Sequence, residues 1–179
     1  MKSARKFCIF LIVVIMLGSY ATAVALENMP PSIEFDLTDM DEHVFDIEWQ
    51  GQHGTITIGE ATPEGPSPRF SYDLTEGVGT WSRRIYYSIG IWNLSYRVRY
   101  TINSNYRVTI HDLYNFDHAG VFGIEHLEAM IVNATETSQY PAKCFSSWYL
   151  SIGIDNFSAG QTATVYCQFH NSVLSVTIG

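Results

Sequence analysis

Carboxylate side chains are concentrated in a short stretch near residue 40. Asp36, Asp39, Asp41 and Glu42 fall within seven residues, between two segments that alternate apolar and polar residues. Calcium prefers six to eight oxygen ligands, and carboxylates supply many of them. The stretch is therefore a candidate Ca²⁺ site, although it lacks the glycine and the final glutamate of an EF-hand loop. The alternative interpretation is an acidic turn in contact with solvent.

Histidines and carboxylates crowd a second stretch: His111, Asp112, Asp117, His118, Glu125 and His126. These residue types can bind a transition metal or take part in hydrolysis, but their spacing matches no zinc motif. The chain has no nucleophile elbow, phosphate loop or HExxH motif. We therefore expect that the protein is not an enzyme, with a hydrolase as the alternative from this stretch.

Two cysteines follow the first 25 residues, Cys144 and Cys167. In an oxidising compartment we expect a disulfide between them, which would contribute about 3 kcal/mol by restricting the unfolded chain. The segment Tyr166 to His170 also resembles the copper-ligand loop of cupredoxins, which implies His118, Cys167 and His170 as copper ligands. Leu174 stands at the axial position and the usual glycine is missing. A disulfide-bonded cysteine cannot bind copper, so the two interpretations exclude each other.

The first 25 residues have the features of a secretory signal peptide. Three basic residues within the first six precede an apolar run from Phe7 to Leu17, and small residues follow at Ala21, Ala23 and Ala25. We expect cleavage near Ala23 or Ala25, and a single extracytoplasmic domain over residues 26–179. The alternative is an uncleaved anchor, but the apolar run is shorter than the roughly 20 residues that span a bilayer. We expect no membrane-spanning segment after the signal peptide.

The charge is acidic and unevenly distributed. The chain has 18 acidic and 10 basic residues, and three of the basic ones lie in the signal peptide. Nucleic acid is not an expected partner, because its phosphates require a basic face. Residues 27–76 hold twelve acids and one arginine, whereas residues 82–107 hold five arginines and no acid. Neighbouring strands could neutralise each other, or separate molecules could be complementary.

The pattern of residues predicts strands along nearly the whole mature chain. Apolar and polar residues alternate with period two, with many β-branched and aromatic residues. The predicted strands are Ser32–Leu37, His43–Trp49, Thr55–Glu60, Arg69–Leu74, Trp81–Ile89, Ile91–Ile102, Tyr106–Leu113, Met130–Thr135, Ser147–Ile154, Thr162–His170 and Val173–Ile178. Phe122, Ile124, Leu127 and Ile131 have helical spacing and predict one short helix over Val121–Ile131. The expected fold is an all-β sandwich.

Sequons for N-glycosylation occur at Asn93, Asn133 and Asn156. Their number is close to what chance would give, so they permit glycosylation without indicating it.

The C-terminal segments Asn156–Thr162 and Gln168–Asn171 resemble the N-L-x-x-G and Q-F-x-N strand pair of TasA and camelysin-type secreted fibre proteins. They also resemble the C-terminal strands of archaeal cannula subunits. In TasA the pair lies near the mature N-terminus, whereas here it is C-terminal. The resemblance implies a jelly-roll-like subunit whose N-terminal segment adds as a strand to the next molecule.

Together these features predict a secreted or cell-surface structural protein that assembles with itself into a filament or envelope. One alternative is a ligand- or glycan-binding surface module, in which Trp81, Trp92, Trp148 and neighbouring tyrosines would line a pocket rather than the core. A further alternative is a cupredoxin-like copper protein.

Overall fold

Two antiparallel β-sheets make up the part of the chain that the computed structural model describes, residues 30–49, 51–64, 78–120, 123–154 and 157–179, with the side chains of 152–159 left aside. The strands are β1 (Ser32–Asp36), β2 (His43–Trp49), β3 (Gln52–Ile58), β4 (Thr62–Pro63), β5 (Gly79–Ile89), β6 (Trp92–Ile102), β7 (Val108–Gly120), β8 (Ile124–Asn133), β9 (Ala142–Ile154), β10 (Phe157–His170) and β11 (Val173–Ile178).

The order of the strands follows two meanders. Sheet A has the order β1-β11-β10-β9-β8, and sheet B has the order β2-β3-β5-β6-β7, with β4 paired to β5. Apart from the short strand β4, each strand within a meander lies beside the next one along the chain, which is a simpler order than the two Greek keys of a jelly roll. β1 is the exception, because the first strand pairs with the last one.

Period-two alternation directs one face of each sheet into a shared core. On β6 the buried side chains are Trp92, Leu94, Tyr96, Val98, Tyr100 and Ile102, and on β11 they are Leu174, Val176 and Ile178. The sheets meet across this core: the Tyr96 hydroxyl donates to the carbonyl of Val165 at 3.1 Å, and the rings of Tyr100 and Phe169 lie 5.2 Å apart. Burial of each such side chain contributes about 1.5–3 kcal/mol. The predicted β-sandwich is confirmed.

The helix predicted over Val121–Ile131 is wrong, because this segment contains strand β8. A register shift between His126 and Glu128 interrupts its pairing with β9. In a regular strand, two side chains seven positions apart face opposite sides of the sheet. The bulge shifts the alternation by one residue, so Ile124 and Ile131 both pack against the core. A seven-residue separation also places two side chains on one face of a helix, which explains the wrong prediction.

Strands β2 and β11 have the predicted bounds, whereas β7, β8, β9 and β10 are longer than predicted. β4 lies between the predicted strands Thr55–Glu60 and Arg69–Leu74, where no strand is predicted. The predicted strand Arg69–Leu74 and the predicted signal peptide lie outside the described residues. Within the described ranges, the structure has no helix long and apolar enough for a membrane span.

Candidate functional site

The acidic stretch near residue 40 forms a hydrogen-bonded turn. Asp36 Oδ1 accepts bonds from the amide and hydroxyl of Thr38, at 2.9 and 2.8 Å. Asp39 accepts the Asp41 amide at 3.0 Å, and its other oxygen lies 2.8 Å from Nε2 of His43. The bond from the Asp41 amide, assisted by His43, lowers the pKa of Asp39. These carboxylates therefore already have partners within the turn.

The predicted metal ligands are not brought together. In the described part of the chain, no three side chains of His, Cys, Asp or Glu are placed to hold one metal ion. This finding applies to the calcium set Asp36, Asp39, Asp41 and Glu42. It applies equally to the copper set: His118 is exposed on the edge strand β7, whereas Cys167 is buried on β10.

Cys144 and Cys167 face each other on neighbouring strands. They are directly opposite in the β9–β10 register, both are buried, and both are free thiols in this structure. Opposite Cα atoms in antiparallel sheets are about 4.5–5.5 Å apart, which lies within the range that a disulfide spans. The Tyr96 hydroxyl lies 3.1 Å from Cys167 Sγ. Hydrogen bonding between the two thiols and burial raise the pKa of Cys144. The disulfide stays a prediction.

The histidine stretch divides between two surfaces. His111 faces the outer side of sheet B, where Nε2 lies 2.7 Å from the Thr101 hydroxyl. His126 packs between the rings of Phe116 and Trp148, at centroid distances of 4.3 and 5.4 Å. Its Nε2 lies 2.9 Å from Oγ of Ser146, but this serine is fully buried and so cannot meet a substrate. Burial lowers the pKa of His126.

The tryptophans proposed to line a pocket belong to the core instead. Trp81, Trp92 and Trp148 are 2%, 7% and 0% exposed. They occupy positions of β5, β6 and β9 whose side chains face the core, where large rings fill the space between the sheets. The binding-module interpretation therefore loses the side chains on which it was based.

Two of the three sequons lie on described strands. Asn93 is on β6, between β5 and β7, and the side-chain amide of Asn133 donates to the carbonyl of Pro141 at 2.6 Å. Asn156 lies outside the described residues.

A buried arginine that sequence analysis missed holds the connection between β1 and β2. Arg83 is 0% exposed; its Nε donates to the Tyr100 hydroxyl at 3.0 Å, and Nη1 donates to the Gly59 carbonyl at 2.9 Å. Its Nη2 donates to the Asp39 carbonyl. The guanidinium also lies 4.8 Å from the centre of the Phe35 ring. The alternation of Trp81, Ile85 and Tyr87 would have placed Arg83 on the inward face.

Strand β1 is the N-terminal edge of sheet A. It pairs with β11 through five residues, from Ser32 opposite Thr177 to Asp36 opposite Val173. Phe35 enters the core and is 5% exposed. The Thr177 hydroxyl donates to Oγ of Ser32 at 3.0 Å. Sequence patterns predicted the strand but could not predict its partner.

A buried glutamate joins three connections at one end of the sandwich. Glu136 accepts the amide of Val108 at 3.0 Å and the amide of Asn171 at 2.8 Å. Arg107 Nη1 and His170 Nδ1 lie 3.8 and 3.4 Å from the same carboxylate, whose side chain is 0% exposed. Nothing in the spacing of the sequence indicated this cluster.

The outer side of sheet B carries a polar groove of about 380 Å³ lined by Glu64, Thr80, Arg99 and His111. The Tyr114 hydroxyl donates to Glu64 at 2.8 Å. This bond, together with Ser82 and the nearby arginines, lowers the pKa of Glu64.

Arginines of the predicted basic band have partners within the molecule. Arg99 lies 3.3 Å from Asp112, and Arg84 lies 3.4 Å from Asp117. Both acids belong to β7, so neighbouring strands neutralise part of the basic band. The acids of β1 and β2 are not the partners in these two pairs.

Comparison with known proteins gives no family. No protein-family model matches the chain, and no curated protein matches it. A solved structure that the chain resembles is the hypothetical protein lmo2686 of Listeria monocytogenes EGD-e. The two share 14% sequence identity with a TM-score of 0.39, over 81% of this chain and 100% of the other.

Proposed function

We propose that the chain is a secreted or cell-surface structural protein that assembles with itself, and that β1 of one molecule adds as a strand to sheet A of the next. The observation that carries this proposal is the position of β1, which pairs at the edge of sheet A with the last strand of the chain rather than with its neighbour in sequence. The pairing of the other described strands does not depend on which molecule supplies β1. The β1 strand of a second copy can therefore occupy the same place beside β11.

The contacts of β1 suit such an exchange. Five backbone pairs align it with β11, and Phe35 gives it one deep apolar anchor next to Arg83. Edge strands with a defined register and alternate side-chain pockets are a common way of joining protein chains. Arg83 would hold the connection that follows β1 in either arrangement, because its partner there is the backbone carbonyl of Asp39.

A synthetic peptide tests this proposal. Purified protein from residue 26 onward should form filaments or other regular assemblies in negative-stain micrographs. A peptide of residues 31–37 should shorten them, because it competes for β11. The control peptide carries the change Phe35→Ser and should have little effect. A monodisperse monomer at all concentrations would contradict self-assembly, and equal effects of both peptides would contradict strand addition.

An extracytoplasmic location further implies that Cys144 and Cys167 are oxidised to a disulfide. The thiols lose two protons and two electrons to a disulfide-type oxidant of that compartment, and their opposed positions need no rearrangement of the strands. The intact mass of secreted protein should be about 2 Da lower than that of the fully reduced chain. An unchanged mass would show that the thiols remain free.

The polar groove on sheet B supports a second candidate function, the binding of a polar ligand such as a glycan. Charged and hydroxyl groups converge there on an exposed face, as they do in many binding sites. Binding to a glycan array should weaken when Arg99 is replaced by alanine. The matched control is Arg84→Ala, on the same face but outside this groove.

A further inference from the structure

Exposed apolar side chains are concentrated on the outer side of sheet A. Within the described residues nine large apolar side chains are exposed, and six of them belong to β8, β9, β10 and the β8–β9 connection. These six are Leu127, Met130, Val132, Tyr140, Tyr149 and Tyr166. We refer to the outer surface that they form with Phe145 as the apolar face. Contiguous apolar surface of this kind marks interaction sites on soluble proteins.

The register places three side chains of the apolar face in one row. Met130 lies opposite Phe145, and Phe145 lies opposite Tyr166, so the three side chains form one row across three strands. The rings of Phe145 and Tyr166 are 5.6 Å apart. Beside this row, Val132 and Tyr140 line a groove of about 420 Å³.

Opposite charges flank the row of Met130, Phe145 and Tyr166 on its two sides. Lys143 is on one side, opposite Asn133 and beside the groove. Glu128 and Glu125 lie on the other side, opposite Ser147 and Tyr149. A surface with a cation on one side and anions on the other is complementary to itself when it is rotated by 180°.

We propose that the apolar face binds the same face of a second copy in antiparallel orientation, so that Lys143 of each copy meets Glu125 and Glu128 of the other. Sheets that pack face to face lie about 10 Å apart, which allows the rows of Met130, Phe145 and Tyr166 to interdigitate. The contact is isologous and separate from strand addition through β1. Either contact can therefore exist without the other.

Sedimentation of the mature chain tests the apolar part of this interface. The double change Met130→Gln with Tyr166→Gln should raise the dimer dissociation constant by about tenfold or more. The control is Val44→Gln, since Val44 is 60% exposed on β2 of sheet B. The control should leave dimerisation unchanged. Equal effects of the two replacements would overturn the proposal, as would a monomeric protein that binds lipid vesicles through this face.

Charge exchange tests the orientation. K143E alone should weaken the dimer because glutamates then face glutamates, and E125K/E128K alone should weaken it because lysines face Lys143. An equimolar mixture of the two variants should dimerise again, since both contacts are then between opposite charges. The triple variant K143E/E125K/E128K should also dimerise with itself. If neither combination restores the dimer while each variant keeps the far-ultraviolet circular dichroism of the unmodified protein, the antiparallel contact is wrong. Strand addition through β1 would stand regardless of that result.

Discussion

At the scale of single residues, two buried charges hold connections that the strands alone would leave free. Arg83 binds the Asp39 carbonyl between β1 and β2 and the Gly59 carbonyl after β3, and Glu136 binds amides of two hairpin ends. Buried charged groups are costly unless they are well paired, so each fixes its surroundings strongly. The alternation along β5 could have indicated Arg83. Glu136 lies outside any periodic segment, so its burial could not be predicted.

Replacement of Glu136 by alanine tests the role of this carboxylate. The change leaves the amides of Val108 and Asn171 without an acceptor, next to the partly buried Arg107. We expect the free energy of unfolding to fall by about 3 kcal/mol, measured by urea denaturation. Glu60→Ala is the control on an exposed glutamate and should change it by less than about 0.5 kcal/mol. Equal effects would show that Glu136 is not a structural anchor.

The lowered pKa of His126 predicts that the stability of the protein depends on pH. Burial lowers its pKa below the ordinary value of 6.5, so protonation favours the unfolded chain. The stability that depends on neutral His126 is present above pH 6.5 and is lost as the pH falls below it. His126→Gln should therefore lose less stability than the unmodified protein between pH 7 and pH 5, as measured by urea midpoints. Parallel pH profiles for the two proteins would contradict this assignment.

At the scale of elements, period two indicated where most strands lie, although β3 begins and ends earlier than predicted. It gave the bounds of β2 and β11, which alternate without interruption. It failed at β8, where the bulge near Glu128 imitates helical spacing. A bulge depends on how two strands pair, and that information is not present in the spacing of one strand.

Gly54 provides a test of the pairing between β3 and β5. A Cβ at this position would collide with the backbone carbonyl of Ser88 on the neighbouring strand, which has little freedom to move. We expect Gly54→Ala to lower the free energy of unfolding by about 1–3 kcal/mol.

Gly51, in the turn before β3, is the control for this change. Its φ is +72° and no atom lies within 4 Å of an added Cβ, so Gly51→Ala adds only backbone strain of about 1 kcal/mol. A smaller loss at Gly54 than at Gly51 would contradict the described register of β3 and β5.

At the scale of the whole molecule, the sequence was sufficient for the β-sandwich and insufficient for its connectivity. The alternation of residues indicates which faces of the strands are buried. It does not indicate which strands pair, and the pairing of β1 with β11 joins residues about 145 positions apart. The candidate metal sites illustrate the same limit. Their residue types were suitable, but the fold directs His118 and Cys167 to different surroundings.

Disulfide trapping between two variants measures strand addition most directly. One variant carries Ser32→Cys and the other Thr177→Cys, at positions whose hydroxyl groups are 3.0 Å apart across β1 and β11. As a control for oxidation, Q168C/S175C joins opposite positions of the β10–β11 hairpin and should always close within one chain. After the two single variants are mixed, assembled and oxidised, strand addition predicts a covalent dimer that contains one chain of each. Assemblies that yield no mixed dimer, while the hairpin control closes fully, would contradict it.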